Sequence, residues 1–199
     1  MSDSIVIRSM LFADVVGFSR LPDAAYPGFM REFLADAERV LNEPRHTALV
    51  RNTWGDAIFA VFTTTNEAAR AALALQALVN STAWNDRFGL PEGATHLQLR
   101  IGLHAGPVHE GYDPISKSVS YMGLHTNLAA RIEPIAEEGH IYVSGEFAAM
   151  ATVMGENEFH FDYVGQRPLP KKAGVIPVFR LVAIPPARLL DIGQFVRTA

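Results

Sequence analysis

The spacing of apolar positions changes several times along the chain, and each change marks an element. Residues 5–16 are rich in Ile, Val, Leu and Phe and stop at Gly17, which predicts a buried strand. Phe29, Phe33, Ala37 and Val40 then recur at helical spacing and predict a helix over 23–41. Residues 47–53 and 56–62 read as two short strands separated by a Trp54-Gly55 turn. A stripe of Ala68, Ala71, Leu75 and Leu78 predicts a second, Ala-rich helix over 67–80. Gly and Pro between 88 and 95 mark a loop. The alternation of Leu97, Leu99, Ile101 and Leu103 makes 97–104 a strand. Ala105-Gly106-Pro107 is expected to break it, with a return strand to Tyr112 and a polar hairpin loop over 113–118. A third helix over 127–136, a strand at 141–144, a fourth helix over 145–154 and strands over 159–164 and 175–182 complete the pattern.

The order β-α-β-β-α-β, followed by a further helix and strands, predicts an α+β domain of ferredoxin-like design: a mostly antiparallel central sheet flanked by helices. The expected domain covers residues 1–184, with 185–199 as a C-terminal tail. At 199 residues and 49% hydrophobic content the chain can bury one packed core. A net charge of −4, with no Lys/Arg block, argues against a nucleic-acid binder. There are no cysteines, which excludes a disulfide framework and fits the cytosol. The amino terminus lacks the layout of a secretory signal, and no apolar stretch approaches the roughly 18 residues that span a bilayer. These features predict a soluble, cytoplasmic protein with neither nucleic-acid nor membrane partners.

Two aspartates interrupt apolar runs: Asp14 within residues 10–18, and Asp56 within residues 54–62. Burying an ionised carboxylate costs several kcal/mol unless a cation or hydrogen bonds meet it. On the central strands of a ferredoxin-like sheet the two lie side by side, and hard oxygen ligands of this kind suit Mg²⁺ or Mn²⁺. Each taken singly also reads as a strand-end acceptor or a Gly-Asp turn residue. The backbone from Val15 through Phe18 to Ser19 can cradle an anion. Arg100, on a strand of alternating apolar residues, reads either as a second anion contact or as a solvated arginine. Asn127 and Arg131, at i and i+4, share one helix face. An amide donor beside a guanidinium suits a pentavalent phosphorus transition state. A helix-start Asn with a surface Arg is the other reading. Lys172, on a loop, could reach a triphosphate tail.

Taken together, residues 12–19, 53–62, 99–108, 123–131 and 139–144 resemble, in order, the class III nucleotidyl cyclase domain over about residues 8–182. That resemblance implies a homodimer with two sites at the subunit interface. Asp14 and Asp56 of one subunit would bind two divalent ions, Mn²⁺ or Mg²⁺, with the Val15 carbonyl as a possible extra ligand, while Arg100 holds phosphate. The other subunit would supply Asn127 and Arg131 to the ribose and α-phosphate, and Lys172 to the β- and γ-phosphates. The 3′-oxygen of the nucleoside triphosphate then displaces pyrophosphate in line.

Adenylyl cyclases of this family read adenine with a Lys before the hairpin and an Asp ahead of the third helix; guanylyl cyclases typically place Glu and Cys there. This chain has Asn52 and Ser120. Asn52 offers both a donor and an acceptor, matching uracil and guanine. Trp54, with Arg51 and Tyr121 nearby, could shorten the pocket toward a single ring; it could equally pack outward across the hairpin. In this respect the chain resembles the stand-alone bacterial pyrimidine cyclases of Pycsar antiphage systems. The resemblance implies conversion of a pyrimidine nucleoside triphosphate, UTP or CTP, to its 3′,5′-cyclic monophosphate, acting on a separate cyclic-nucleotide-responsive effector; the stand-alone form and the segment over residues 52–56 favour UTP and cyclic UMP. A guanylate or adenylate cyclase with an atypical base pocket, or a catalytically silent nucleotide-sensing domain, are the alternatives.

Overall fold

The computed structural model describes residues 4–94, 96–155 and 157–185. The expected C-terminal tail, beyond Pro185, lies outside the described residues. Among the described residues eight strands form one sheet, β1 (Ser4–Val16), β2 (Val50–Trp54), β3 (Ala57–Phe62), β4 (Gln98–Asp113), β5 (Ser118–Met122), β6 (Ile141–Ser144), β7 (Phe159–Pro168) and β8 (Val175–Ala183). Their order is β2-β3-β1-β4-β6-β8-β7, with β5 pairing the far end of β4. All pairings are antiparallel except β4 with β6. The first four strands reproduce the ferredoxin-like order, with β1 and β3 adjacent at the centre.

Period-two alternation divides the sheet residues between two layers. Leu11, Ala13 and Val15 of β1, with Leu99, Ile101 and Leu103 of β4, pack against Phe29, Phe33, Ala68, Ala72, Leu75 and Phe147 in the main core. The helices of that layer are α1 (Tyr26–Gly28), α2 (Leu34–Leu41), α3 (Thr65–Ser81), α4 (Trp84–Phe88) and α6 (Gly145–Val153). On the opposite face lies α5 (Leu124–Ile132), over a smaller cluster that includes Met10, Val61, Val108, Tyr121 and Ala129. A capping box at Thr64 and Glu67 starts α3.

Four expectations about elements change. The helix expected over 23–41 is segmented, with a π-helical turn at Phe29–Phe33 between α1 and α2, where the two phenyl rings stack at 4.6 Å. Phe88, expected to open the loop, instead ends α4, because Trp84 and Phe88, one turn apart, both bury, Trp84 against Phe33. No break occurs at residues 105–107: β4 runs straight through to Asp113. Between Leu103, where β6 pairing ends, and His109, where β5 pairing begins, β4 has a partner on one side only, and an edge-like stretch tolerates a proline. Finally, α5 starts at Leu124, before the expected 127, and gives way to a 3₁₀ turn at Glu133–Ile135.

Candidate active site

Asp14 sits near the end of β1, directly across from Arg100 of β4. Asp56 follows Gly55 in a two-residue turn, since Trp54 pairs Ala57; Trp54 belongs to β2, and Gly55-Asp56, not Trp54-Gly55, makes the turn. Gly55 holds a φ of 63°, open to glycine at little cost. The β1–β3 register brings this turn to the end of the sheet where β1 stops. A cavity of about 260 Å³ results, lined by Asp14, Asp56, Arg100, the residues from Val15 to Ser19, and also Arg20 and Glu138.

The backbone turns at Gly17, with φ 80°, into a 3₁₀ turn at Phe18–Arg20. The Phe18 ring is anchored below, against Phe29 at 4.8 Å and Tyr26 at 5.3 Å, so its contribution to the cavity is a fixed loop. Arg100 Nη2 donates to Asp14 Oδ2 at 2.7 Å. Its Nε lies 3.1 Å from Glu133 Oε1, an ion-pair contact whose angle falls short of a hydrogen bond and leaves both atoms otherwise unpartnered. Burial lifts Glu133 to about 7, the Arg100 charge opposing the rise. Asp56 is raised as well, first by burial and then by the charge of Asp14.

The two mutually repelling carboxylates of Asp14 and Asp56 are hard oxygen donors on one cavity wall. That set fits a small divalent cation, which takes one or two carboxylates and completes its shell with water and phosphate oxygens. Among the described residues no cluster of three or more His, Cys, Asp or Glu offers a fuller metal cage.

A second cavity of about 290 Å³ collects Asn52, Trp54 and Ser120, with Arg51, Phe59 and Asp113. Three residues singled out for base recognition thus meet in one place. Trp54 is part of this lining and is 70% exposed. Tyr121 is not part of the lining. It is buried beside Met10, Val61 and Val108, with the Arg8 guanidinium over its ring, because one residue along a strand reverses the side-chain direction. Asn52 Oδ1 accepts from the Thr53 N–H at 2.8 Å, which fixes the amide, and its nitrogen is a donor that can face a base.

Asn127 and Arg131 lie one turn apart on α5, Asn127 exposed and Arg131 half-buried. Lys172 is exposed in the turn joining β7 to β8, at φ 56°. None of the three lines the acidic cavity of its own chain. The sequence-level reading did not single out Arg20, Glu133 or Glu138. The alternation that placed Leu99 and Ile101 in the core already turned Arg100 toward the α5 face, but nothing local pairs it with a glutamate 33 positions on.

The family described as the adenylate and guanylate cyclase catalytic domain matches residues 3–181, so the chain belongs to that family. Among solved structures, the adenylyl cyclase CyaB from P. aeruginosa superimposes with a TM-score of 0.77 at 17% identity, covering 94% of this chain and 98% of the other. The guanylate cyclase domain of RhGC from Catenaria anguillulae, in complex with GTP, gives 0.74 at 18% identity, covering 92% and 100%. At such identities the likeness is one of fold. The receptor-type adenylate cyclase GRESAG 4.2 of Trypanosoma brucei brucei is 28% identical over 89 residues, 45% of this chain and 16% of that protein. No helix among the described residues is long and apolar enough to cross a membrane.

Proposed function

We propose that this chain is a cytoplasmic nucleotidyl cyclase that works as a homodimer. In this reading it converts UTP to 3′,5′-cyclic UMP and pyrophosphate, as a second messenger for a separate effector in antiphage defence. The observation that carries the cyclase reading is the division of labour on one chain. Asp14, Asp56 and Arg100 gather in one cavity, Asn52, Trp54 and Ser120 in another, and Asn127 and Arg131 of α5 line neither. Two copies arranged head to tail would bring the first set of one to the second set of the other.

Asp14 and Asp56 would hold Mn²⁺ or Mg²⁺ with the Val15 carbonyl; bound there, the ions offset the carboxylate charge and acidify the ribose 3′-hydroxyl. The turn from Gly17 to Ser19 directs backbone N–H groups at the phosphates. Arg100, fixed by Asp14 and Glu133, adds a planar fork of donors. From the second copy, Asn127 orients the ribose and Arg131 meets the charge that grows on the α-phosphoryl oxygens. The 3′-oxygen forms the new bond to the α-phosphorus, the bond to the β-phosphate oxygen breaks, the 3′ proton passes to solvent, and Lys172 steadies the departing pyrophosphate.

UTP is favoured by the Asn52 amide nitrogen, a donor suited to the O4 of uracil and mismatched to the exocyclic amines of cytosine and adenine. Guanine O6 meets the same donor, which makes GTP the second reading. Incubation with each of the four ribonucleoside triphosphates and Mn²⁺ tests the assignment: cyclic UMP forms fastest if it holds, and faster cyclisation of GTP or ATP overturns it.

A further inference from the structure

One side of β4 is a seat for α5. Alternation places Arg100, Gly102, His104 and Gly106 on that side, and each meets the helix or the turn that follows it. A Cβ on Gly102 would stand 2.4 Å from the Glu133 backbone nitrogen, and one on Gly106 would stand 2.3 Å from His125 Nδ1. Between these close approaches His104 is 1% exposed. Its Nε2 lies 2.8 Å from His125 Nδ1, and its Nδ1 lies 2.7 Å from Ser144 Oγ. The two imidazoles are almost parallel, at 4°, with centroids 5.1 Å apart. Ser144 caps α6 by accepting from the Phe147 N–H at 3.1 Å.

Burial drives His104 down to about 4 against the pull of Glu146, so the ring is neutral at pH 7 and carries one N–H. The hydrogen bonds therefore run in one sense along Ser144, His104 and His125: the hydroxyl donates inward and Nε2–H donates to His125, or both bonds point the other way. Either arrangement satisfies His104 on both sides, and either requires the His125 Nδ1 atom. His125 lies in the first turn of α5, the turn that also carries Asn127.

We propose that His125, held by His104 over Gly106, is a positioning residue that sets the placement of α5 and so the aim of Asn127 and Arg131. This rests on the reading of those two residues as the nucleotide-facing pair. Neither histidine touches substrate. The anchor works at the start of the helix, as Arg100 with Glu133 works at its end, and it ties α5 through Ser144 to α6.

Three substitutions at one position separate aim from bulk. His125→Phe keeps a ring over Gly106 and deletes the bond; His125→Asn keeps a polar atom at the place of Nδ1; His125→Gln moves it to the place of Nε2 and serves if the phenylalanine variant fails to fold. Turnover of the Phe or Gln variant should fall about tenfold with KM changed less than about twofold, and Asn should recover most of it. Mixing supplies a readout that a merely structural role would not move. H125F should regain activity with Asp56→Ala, which brings an intact α5, and gain nothing from Asn127→Ala. Wild-type turnover in H125F, or equal rescue by both partners, overturns the proposal. A mixture of D56A with N127A that stays inactive overturns instead the two-copy reading beneath it.

Discussion

Arg100 faces Asp14 across the β1–β4 ladder, Nη2 to Oδ2 at 2.7 Å, while Nε of the same guanidinium lies 3.1 Å from Glu133. The pairing has two effects. It holds the Asp14 carboxylate at the cavity wall, and it leaves Arg100 with charge to spare, because burial lifts Glu133 to about 7 and keeps that carboxyl partly protonated at neutral pH. An arginine balanced in this way can transfer donors to an arriving phosphate without stranding a full negative charge behind it.

A lysine cannot span both carboxyl groups, since it lacks the planar fork. Arg100→Lys should lower kcat/KM by about 10- to 100-fold, a loss of roughly 1.4–2.7 kcal/mol of transition-state stabilisation. Steady-state kinetics on the folded variant measure it. Unchanged kinetics would remove Arg100 from the phosphate site.

Asp56 has its carboxyl raised by burial and by Asp14, so its ionised form opposes folding and pays only when a cation arrives. Asp56→Ala should reduce cyclase product by about 100-fold or more. Its thermal midpoint in chelator should stay equal to wild type or rise. The added stability that Mn²⁺ gives the wild-type protein should vanish in the variant. A variant that still cyclises nucleotide would exclude the metal assignment.

His104 has a folded-state value of about 4 against 6.5 for the free group, so folding favours its neutral form. The contribution is complete above pH 6.5 and declines as pH falls toward 4. Between pH 7.5 and pH 5 this residue alone should remove about 2 kcal/mol of stability. Denaturant titrations at the two pH values, for wild type and His104→Gln, should show that this share of the acid sensitivity is absent from the variant.

Gly102 allows the turn after α5 to rest on β4, backbone against backbone. Gly102→Ala places a methyl group 2.4 Å from the Glu133 nitrogen, and neither side is a flexible side chain that can step aside. A loss of roughly 1–3 kcal/mol is expected from such overpacking, read from the denaturation midpoint.

Much of this was legible along the chain because the signals were local. The apolar run of β1, the alternation of β4 and the alanine stripe of α3 identified their own elements, and the i, i+4 spacing of Asn127 and Arg131 placed both on one face. Asp14 and Asp56 announced themselves as charges within apolar runs. What escaped depended on distant neighbours. Pro107 looked like a break because the one-sided pairing of β4 at that point is a property of the sheet. Phe88 looked like the start of a loop because the ring that holds the helix before it, Phe33 against Trp84, is 51 residues from Trp84 along the chain. Glu133 and His125 acquired partners only when α5 settled on the glycine-lined side of β4. Tyr121 was misplaced by one step of a strand, which is enough to turn a side chain from a pocket into a core.

In the proposed dimer, acidic ligands of one copy and the amide–guanidinium pair of another build a single site, and mixing two inactive variants tests this directly. Asp14→Ala and Arg131→Ala should each be folded and inactive alone. Co-refolded in equal amounts, they should recover about one quarter of wild-type activity, since about half of the dimers are mixed and each has one intact site of two. Recovery near that level is the predicted result; a mixture as inactive as its parents, with mixed dimers shown to form, would contradict the account.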